Sequence, residues 1–424
     1  MPELDRDAHI ADFADYIRES PSSYHAAAAV AARLEADGFE RLDERDEWPA
    51  TPGKRVVVRD GAVIAWVQPA GATGTTPFRI LGAHTDSPSF KLKPGPSPTT
   101  EGLLQAGVEV YGGPLLNSWL DRELELAGRI VTRDGTEHLV RTGPFLRIPQ
   151  LAIHLDRDVS KALTLDKQRH LQPVWGAAAA GDLLAHLAGI AGVELGDVGG
   201  HDLLVADTQA PERFGLTDAF FAAGRMDNLS SVFAGLVGLL AAPADTEHVS
   251  VLAAFDHEEL GSESRSGASG PFLEDVLVRI GAALGADATD RRRALADSWL
   301  LSSDAGHAVH PNYPDRHDPS NRPRLGGGPL LKLNANQRYA SDAVGAALWA
   351  RTCRQAGVET QPFVSNNSIP CGSTIGPLSA TRLGVRTVDV GTPLLSMHSA
   401  RELAHVDDLV ALAAAVTAFF APAD

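Results

Sequence analysis

The run Val251-Leu252-Ala253-Ala254-Phe255-Asp256-His257-Glu258-Glu259-Leu260-Gly261-Ser262 carries an apolar stretch of strand length straight into two adjacent carboxylates and a glycine. The C-terminal end of a strand is where open α/β sheets bind their ligands. Neighbouring residues of an extended strand point to opposite faces, so Glu258 and Glu259 reach one cavity only if the strand has ended and the chain turns, which Gly261 permits. Sharing a cavity, one can hold a cation while the other moves a proton. The same residues also read as solvated loop acids. His84 with Asp86, Asp227, Asp304 and His398 bear on the choice, because each falls at an expected strand end, helix start or loop. Imidazole and carboxylate are ligands that zinc, manganese and cobalt accept, and two ions ~4 Å apart need a carboxylate between them. The spacing His84-x-Asp86 suits a ligand imidazole whose tautomer a carboxylate fixes. Ordinary alternatives stand beside each: Asp86 as a turn residue before Ser87-Pro88, Asp227 as a helix N-cap, His398 as a loop hydrogen-bonder, and His307 and His310 as other imidazoles near Asp304. The chain has no Cys-His zinc motif and no His-Glu-x-x-His helix, so spacing alone leaves both readings open.

A length of 424 residues exceeds a usual single domain, and 44% hydrophobic residues suffice for sizeable cores, so two domains are expected. The formal charge of -17, without a Lys/Arg block, disfavours a nucleic-acid partner. Cys353 and Cys371 are too few for a disulfide framework and point to a reducing compartment. Met1 to Ile10 is acidic and polar, unlike a secretion signal, and the apolar run Ser231 to Ala242 is too short to span a bilayer. The expectation is a soluble cytoplasmic protein with no membrane partner.

The elements that must position the polar clusters follow from pattern. Ala11 to Gly38 reads as helical, broken near Pro21, with Ser20 capping a second helix. Arg55 to Gln68 and Phe78 to Leu81 read as strands, the latter running into Gly82-Ala83-His84-Thr85-Asp86. The proline-rich stretch Lys93 to Thr100 suits a crossing between domains. Short strand-like pieces follow at Gly107 to Gly112, Glu123 to Arg133, Glu137 to Val140 and Phe145 to Leu155, with a helix over Ala177 to Leu187 and a strand over Asp202 to Asp207. This block lacks a βαβ rhythm. The rhythm returns with a helix from Asp227 to Leu240, the Glu258/Glu259 strand, helices at Phe272 to Leu284, Gln337 to Gln355 and Leu409 to Phe419, and strands at Trp299 to Ser302, Thr360 to Val364 and Val385 to Val390. One α/β domain with a central mixed sheet flanked by helices is therefore expected. Residues 1–93 and 224–424 form it, and a mostly β module over 94–223 interrupts it.

The stretches Leu81-Gly82-Ala83-His84-Thr85-Asp86-Ser87-Pro88, Ile148 to Leu155, Gly224-Arg225-Met226-Asp227-Asn228-Leu229 and Phe255 to Ser262 resemble the M18 metallopeptidases, the aspartyl aminopeptidase family. The resemblance continues through Ser303-Asp304, His310-Pro311-Asn312-Tyr313, Lys332 to Tyr339, Cys371 to Pro377 and Met397-His398-Ser399-Ala400-Arg401-Glu402, in the family's order and over nearly the whole chain. It implies two divalent ions per subunit, zinc first and manganese or cobalt as alternatives. His84, Asp227 and Asp304 would hold one ion, and Asp227, Glu259 and His398 the other. It further implies Glu258 as general base, Asp86 as the partner of His84, the 94–223 module as a dimerisation domain, and His154 reaching a neighbouring subunit's active site in a homo-oligomer of dimers assembled into a dodecamer. Departures are His257 where asparagine is common, Leu260 where valine is frequent, Met226 where leucine is usual, and Asn366-Asn367-Ser368 where an aspartate is expected.

The activity so implied is release of an N-terminal acidic residue, Asp and then Glu, from a peptide with a free N-terminus, through water activated by the ions and deprotonated by Glu258. Lys332 is the first candidate to pair with the substrate side chain, Arg338 a second, and His310, Asn334 and Tyr339 would shape the pocket. An amidase or deacylase acting on small acylated amino acids, and a non-catalytic oligomeric scaffold, are the alternatives.

Overall fold

A computed structural model describes residues 4–95, 98–177 and 179–421. A nine-stranded mixed sheet runs in the spatial order 40–41, 53–59, 62–68, 249–255, 78–84, 299–303, 386–391, 330–333, 361–364. Neighbours among Val249–Phe255, Phe78–His84, Trp299–Ser303 and Arg386–Gly391 pair parallel. Parallel strands are covered on both faces, which is why Val249–Phe255 is apolar almost throughout and wholly buried. Alternation along the strands splits that burial. Leu81, Leu252, Leu301 and Val388 enter one core with helices Ser23–Ala36, Met226–Leu240, Ala343–Ala356 and Val406–Phe420. Ile80, Val251, Ala253 and Leu300 enter the other with Phe272–Ala283 and Ile375–Leu383. Each fully buried leucine or isoleucine contributes roughly 1.5–3 kcal/mol. The strand ends are thereby fixed in space.

A separate antiparallel sheet, in the order 137–141, 124–132, 198–207, 89–92, 108–111, packs its own core around Phe90, Trp119, Leu126 and Leu203. Its hydrogen bonding begins at Ser89 rather than after Lys93, because Ser89–Leu92 pairs with Val108–Tyr111. At the other edge, Phe220–Ala223 pairs with Glu402–His405 and so leaves this sheet before residue 223. Pro96 and Ser97, within the expected crossing, and Ala178, within the expected helix, lie outside the described residues, as do residues 1–3 and 422–424.

Local chemistry explains where the elements differ from expectation. Arg55 to Gln68 is a hairpin, Gly53–Arg59 against Ala62–Gln68, turned at Asp60-Gly61, with Asp60 at φ 55. Asp-Gly is a hairpin signal that a valine-rich run concealed. Ser20 ends the helix Arg6–Glu19, and Ser22 caps the next one, its hydroxyl accepting from the His25 amide at 3.4 Å. Phe145 to Leu155 forms only isolated bridges at Leu146, Arg147 and Ile148 and then turns. The helix expected at Ala177 lies at Leu183–Ala191 behind an Asp182 cap, and the one expected at Gln337 starts only at Ala343, behind Asp342. Among the described residues no helix is long and apolar enough to cross a membrane.

His9, His25 and His248 are buried in this framework. Burial pushes each down to about 4, with Arg141 and Arg225 adding at His25, Arg79 adding at His248, and Asp12 opposing at His9. Between pH 6.5 and 4 the unfolded chain therefore binds more protons than the folded one, and stability falls as pH falls through that window. The full effect is about 3 kcal/mol per histidine. Denaturant midpoints measured from pH 7 to pH 4 should fall, and less steeply in His9→Leu; an identical slope in that variant contradicts the assignment.

Candidate metal centre

The parallel strands end together. His84 is the last residue of its strand and pairs with Phe255 in register, so Glu258 and Glu259 follow immediately, in a single 3-10 turn. Asp304 follows Ser303 at the end of the next strand, its amide bonded to the Val390 carbonyl at 3.0 Å. Asp227 opens a helix, and His398 lies in the loop after Arg386–Gly391. Arg225, His257 and His398 all adopt positive φ, at 62°, 63° and 66°. Left-handed backbone in non-glycine residues is costly and concentrates at functional sites.

Hydrogen bonds fix both imidazoles. His84 Nδ1 donates to the Asp86 carbonyl at 3.0 Å and His398 Nδ1 to the Gly113 carbonyl at 3.0 Å. A carbonyl can only accept, so each Nδ1 carries the proton and each Nε2 presents a lone pair. Those lone pairs face carboxylates. His84 Nε2 lies 3.4 Å from Asp227 Oδ1 and 3.7 Å from Asp304 Oδ1, while His398 Nε2 lies 3.3 Å from Asp227 Oδ2 and 3.5 Å from Glu259 Oε1. The two oxygens of Asp227 are thus divided between two triads, His84/Asp227/Asp304 and Asp227/Glu259/His398. Asp227 Oδ1 is buried without a hydrogen-bond partner.

Acceptors that face acceptors at such distances need a proton or a cation between them. Two donors each about 2.0–2.1 Å from a tetrahedral zinc stand about 3.3–3.4 Å apart, close to the separations seen. The donor set of nitrogen and carboxylate oxygen is what zinc, manganese or cobalt takes. The residues fit a divalent ion at each triad.

The electrostatics say the same. Burial lowers His84, but Asp227, Asp304 and Asp86 outweigh it and lift the imidazole well above its ordinary value; His398 is lifted to about 10 against burial by Asp227 and Glu259. Burial pushes Glu258 up to about 8, with His84 opposing and Asp304, Asp86 and Asp227 adding, and pushes Glu259 well above the carboxylate range. Among the described residues, Lys332 supplies the one lysine or arginine nitrogen in salt-bridge range, 3.9 Å from Asp304 Oδ2. Buried acids so crowded call for added positive charge.

A cavity of about 620 Å³ opens onto the cluster, lined by His84, Asp227, Glu258, Glu259, Asp304 and His398 together with Lys332, His310 and Tyr339. Asn334 and Arg338 are not on this wall: the Asn334 side chain closes its own turn on the amides of Asn336 and Arg338, and Arg338 is exposed. His154 is exposed in a turn of the β module, away from the cavity lining. Asp86 is buried beside His84, where it accepts from the amides of Glu258 and Glu259 at 3.0 and 3.1 Å. Sequence reasoning missed Glu402, which accepts from the amides of Asp227 at 3.1 Å and His398 at 2.9 Å and so ties both triads to one buried side chain. Its place four residues after His398 was the available signal. Arg316 on the cavity wall was likewise given no role, and His307 on the same wall stood only as an alternative imidazole near Asp304.

A family model described as Aminopeptidase I zinc metalloprotease (M18) matches residues 16–420. The chain belongs to the M18 family. A probable M18 family aminopeptidase 2 of Streptomyces coelicolor is 53% identical over 98% of each chain, and one of Mycobacterium leprae is 45% identical over 97% of this chain and 98% of its own. The solved complex of Ape4 and Nbr1 superposes with a TM-score of 0.94 at 34% identity, over 98% of this chain and 86% of that one. The S. cerevisiae mApe1 dodecamer gives 0.86 at 28% identity, over 98% and 97%. This M18 protein is a metal-dependent aminopeptidase with the mixed α/β fold and separate β region of its solved relatives.

Occupancy should be visible in stability. Adding zinc to the chelator-treated protein should raise its thermal midpoint, by about 4 kcal/mol of stability at a thousandfold excess over Kd, and Asp227→Ala should abolish most of the rise. A midpoint indifferent to zinc, or a full rise in Asp227→Ala, contradicts the site.

Proposed function

We propose that this aminopeptidase holds two divalent ions, zinc in the first instance, one in the His84/Asp227/Asp304 triad and one in the Asp227/Glu259/His398 triad, and that it removes acidic residues from the free N-terminus of peptides. The observation that carries the two-ion reading is the division of the Asp227 oxygens, 3.4 and 3.3 Å from the two imidazoles. Such ions lower the pKa of an attacking water and polarise the scissile carbonyl. Glu258, on the cavity wall, outside both Asp227 triads though close enough to His84 and Glu259 to form a third ligand group with them, takes the water's proton and returns it to the leaving amine. Burial, which raises Glu258, suits a group that must both accept and release a proton near neutral pH. Asp86 acts through His84 by holding its orientation.

Lys332 is buried on the cavity wall, its ammonium donating to the Ala305 carbonyl at 2.7 Å, with Arg316 and His310 lining the same space. The positive charges of Lys332 and Arg316 on this wall support a preference for Asp, then Glu, at the substrate's N-terminus. In the Asn366-Asn367-Ser368 stretch, where an aspartate was expected, Asn366 donates to the carbonyls of Asp315 and His317 and so keeps that wall tied without adding charge. His154 sits beside exposed Leu151, Ile153 and Leu155, an apolar edge suited to a second copy, and its role belongs to a neighbouring subunit's cavity in an oligomer of dimers. The likeness to the mApe1 dodecamer supports assembly to that size. A cytoplasmic location rests on two unpaired cysteines, Cys353 and Cys371.

Turnover of a panel of amino-acid p-nitroanilides tests both roles. Glu258→Gln should lower kcat by about 10²–10⁴-fold with zinc uptake retained, and Lys332→Ala should collapse the Asp-over-Leu preference. Wild-type turnover in the first, or an unchanged preference in the second, defeats the corresponding assignment.

A further inference from the structure

The strand Val108–Tyr111 belongs to the β module, yet the residues leaving it run directly against the metal centre. Tyr111, 7% exposed, donates its hydroxyl to Asp86 Oδ2 at 2.9 Å, the same oxygen that accepts the Glu259 amide. Gly112 lies at φ +68, where a Cβ would stand 3.1 Å from Glu259 Cβ and 3.3 Å from the Glu259 carbonyl oxygen. The Gly113 carbonyl accepts from His398 Nδ1. Beyond it, the Leu115 amide donates to the His398 carbonyl at 2.9 Å, and the Ser118 hydroxyl accepts the Ala400 amide at 2.9 Å. One short run of the module thus touches the partner of one imidazole, the backbone of a carboxylate ligand, and the proton-bearing nitrogen of the other imidazole.

We propose that Tyr111 is a positioning residue for the metal centre and that the Tyr111-Gly112-Gly113 segment makes the β module a structural part of that centre, so that its seating sets metal affinity. The inference rests on the two-ion reading above. Its physical basis is preorganisation. The Asp86 carboxylate receives three donors, the amides of Glu258 and Glu259 and the Tyr111 hydroxyl, and is held more tightly in one rotamer than by the two amides alone; an imidazole whose Nδ1 is tied to a carbonyl presents Nε2 in one direction, so ligands need not be ordered when an ion arrives. Coupling of this kind is reciprocal: seating the module favours the ion, and the ion favours the seated module.

Zinc affinity, measured on the full chain by competition with a chromogenic chelator, tests this in Tyr111→Phe, Gly112→Ala and Glu109→Gln. Glu109 is exposed on the same strand and serves as control. Tyr111→Phe should bind zinc about 10–100-fold more weakly while remaining folded without zinc, as its cooperative thermal transition shows. Gly112→Ala should lose at least as much, and Glu109→Gln should match wild type. Zinc should also slow amide exchange at residues 108–111 in wild type, and less so in Tyr111→Phe. Normal uptake by wild type with unaltered affinity in Tyr111→Phe overturns this inference alone, whether or not Gly112→Ala folds. A wild type that takes up no zinc sinks the two-ion reading and this inference with it.

Discussion

Lone pairs and carboxylate oxygens that point at one another across 3.3 to 3.7 Å are the constraint on which the structure turns. Two carbonyls fix where the imidazole protons sit, and neither proton lies between the facing groups. Left alone, burial pushes Glu258 and Glu259 toward their protonated forms, and the facing carboxylates lift His84 and His398 against burial. A divalent cation at each triad would remove the conflict, with the same atoms as its ligands.

The fold holds this unfavourable crowding in place through apolar burial at a distance from it. The central parallel strands are buried on both faces, so their C-terminal ends cannot drift apart without opening two cores. Around the acids, fixed N–H groups compensate part of the charge. Asp86 takes the amides of Glu258 and Glu259, and Glu402 takes those of Asp227 and His398. Glu402, pushed up to about 8 by burial and by Asp227, acts as a tie between the triads rather than as a ligand in them. Arg225, also left-handed, anchors the start of the Asp227 helix to the carbonyls of Ile17 and Ser20.

Much of this was legible in the sequence because the chemistry sits at strand ends, where an apolar run stops and a polar residue begins. Glu258 and Glu259 after Phe255, and Asp304 after Ser303, are such cases. His84 and Asp86 were legible as a spaced pair. The cavity wall was less so: Lys332 alternates into the cavity from a buried strand, whereas Asn334 and Arg338, two and six residues on, have left the strand for a turn that faces elsewhere. Tyr111 and Gly113 carried no local signal, since their partners lie 25 and 285 residues away. His154 could not be placed against a cavity from one chain, because an exposed loop has no partner within it. The Phe145 to Leu155 strand failed because Leu146 and Ile148 are buried in the module's core through isolated bridges alone, while Leu151, Ile153 and Leu155 face outward.

Anomalous diffraction at the zinc edge, on crystals of the zinc-loaded protein, tests the central claim most directly. The account requires two peaks per subunit, one on each side of the Asp227 carboxylate, within bonding distance of His84 and His398 respectively. A single peak, or peaks that leave Asp227 bound to neither, would contradict it.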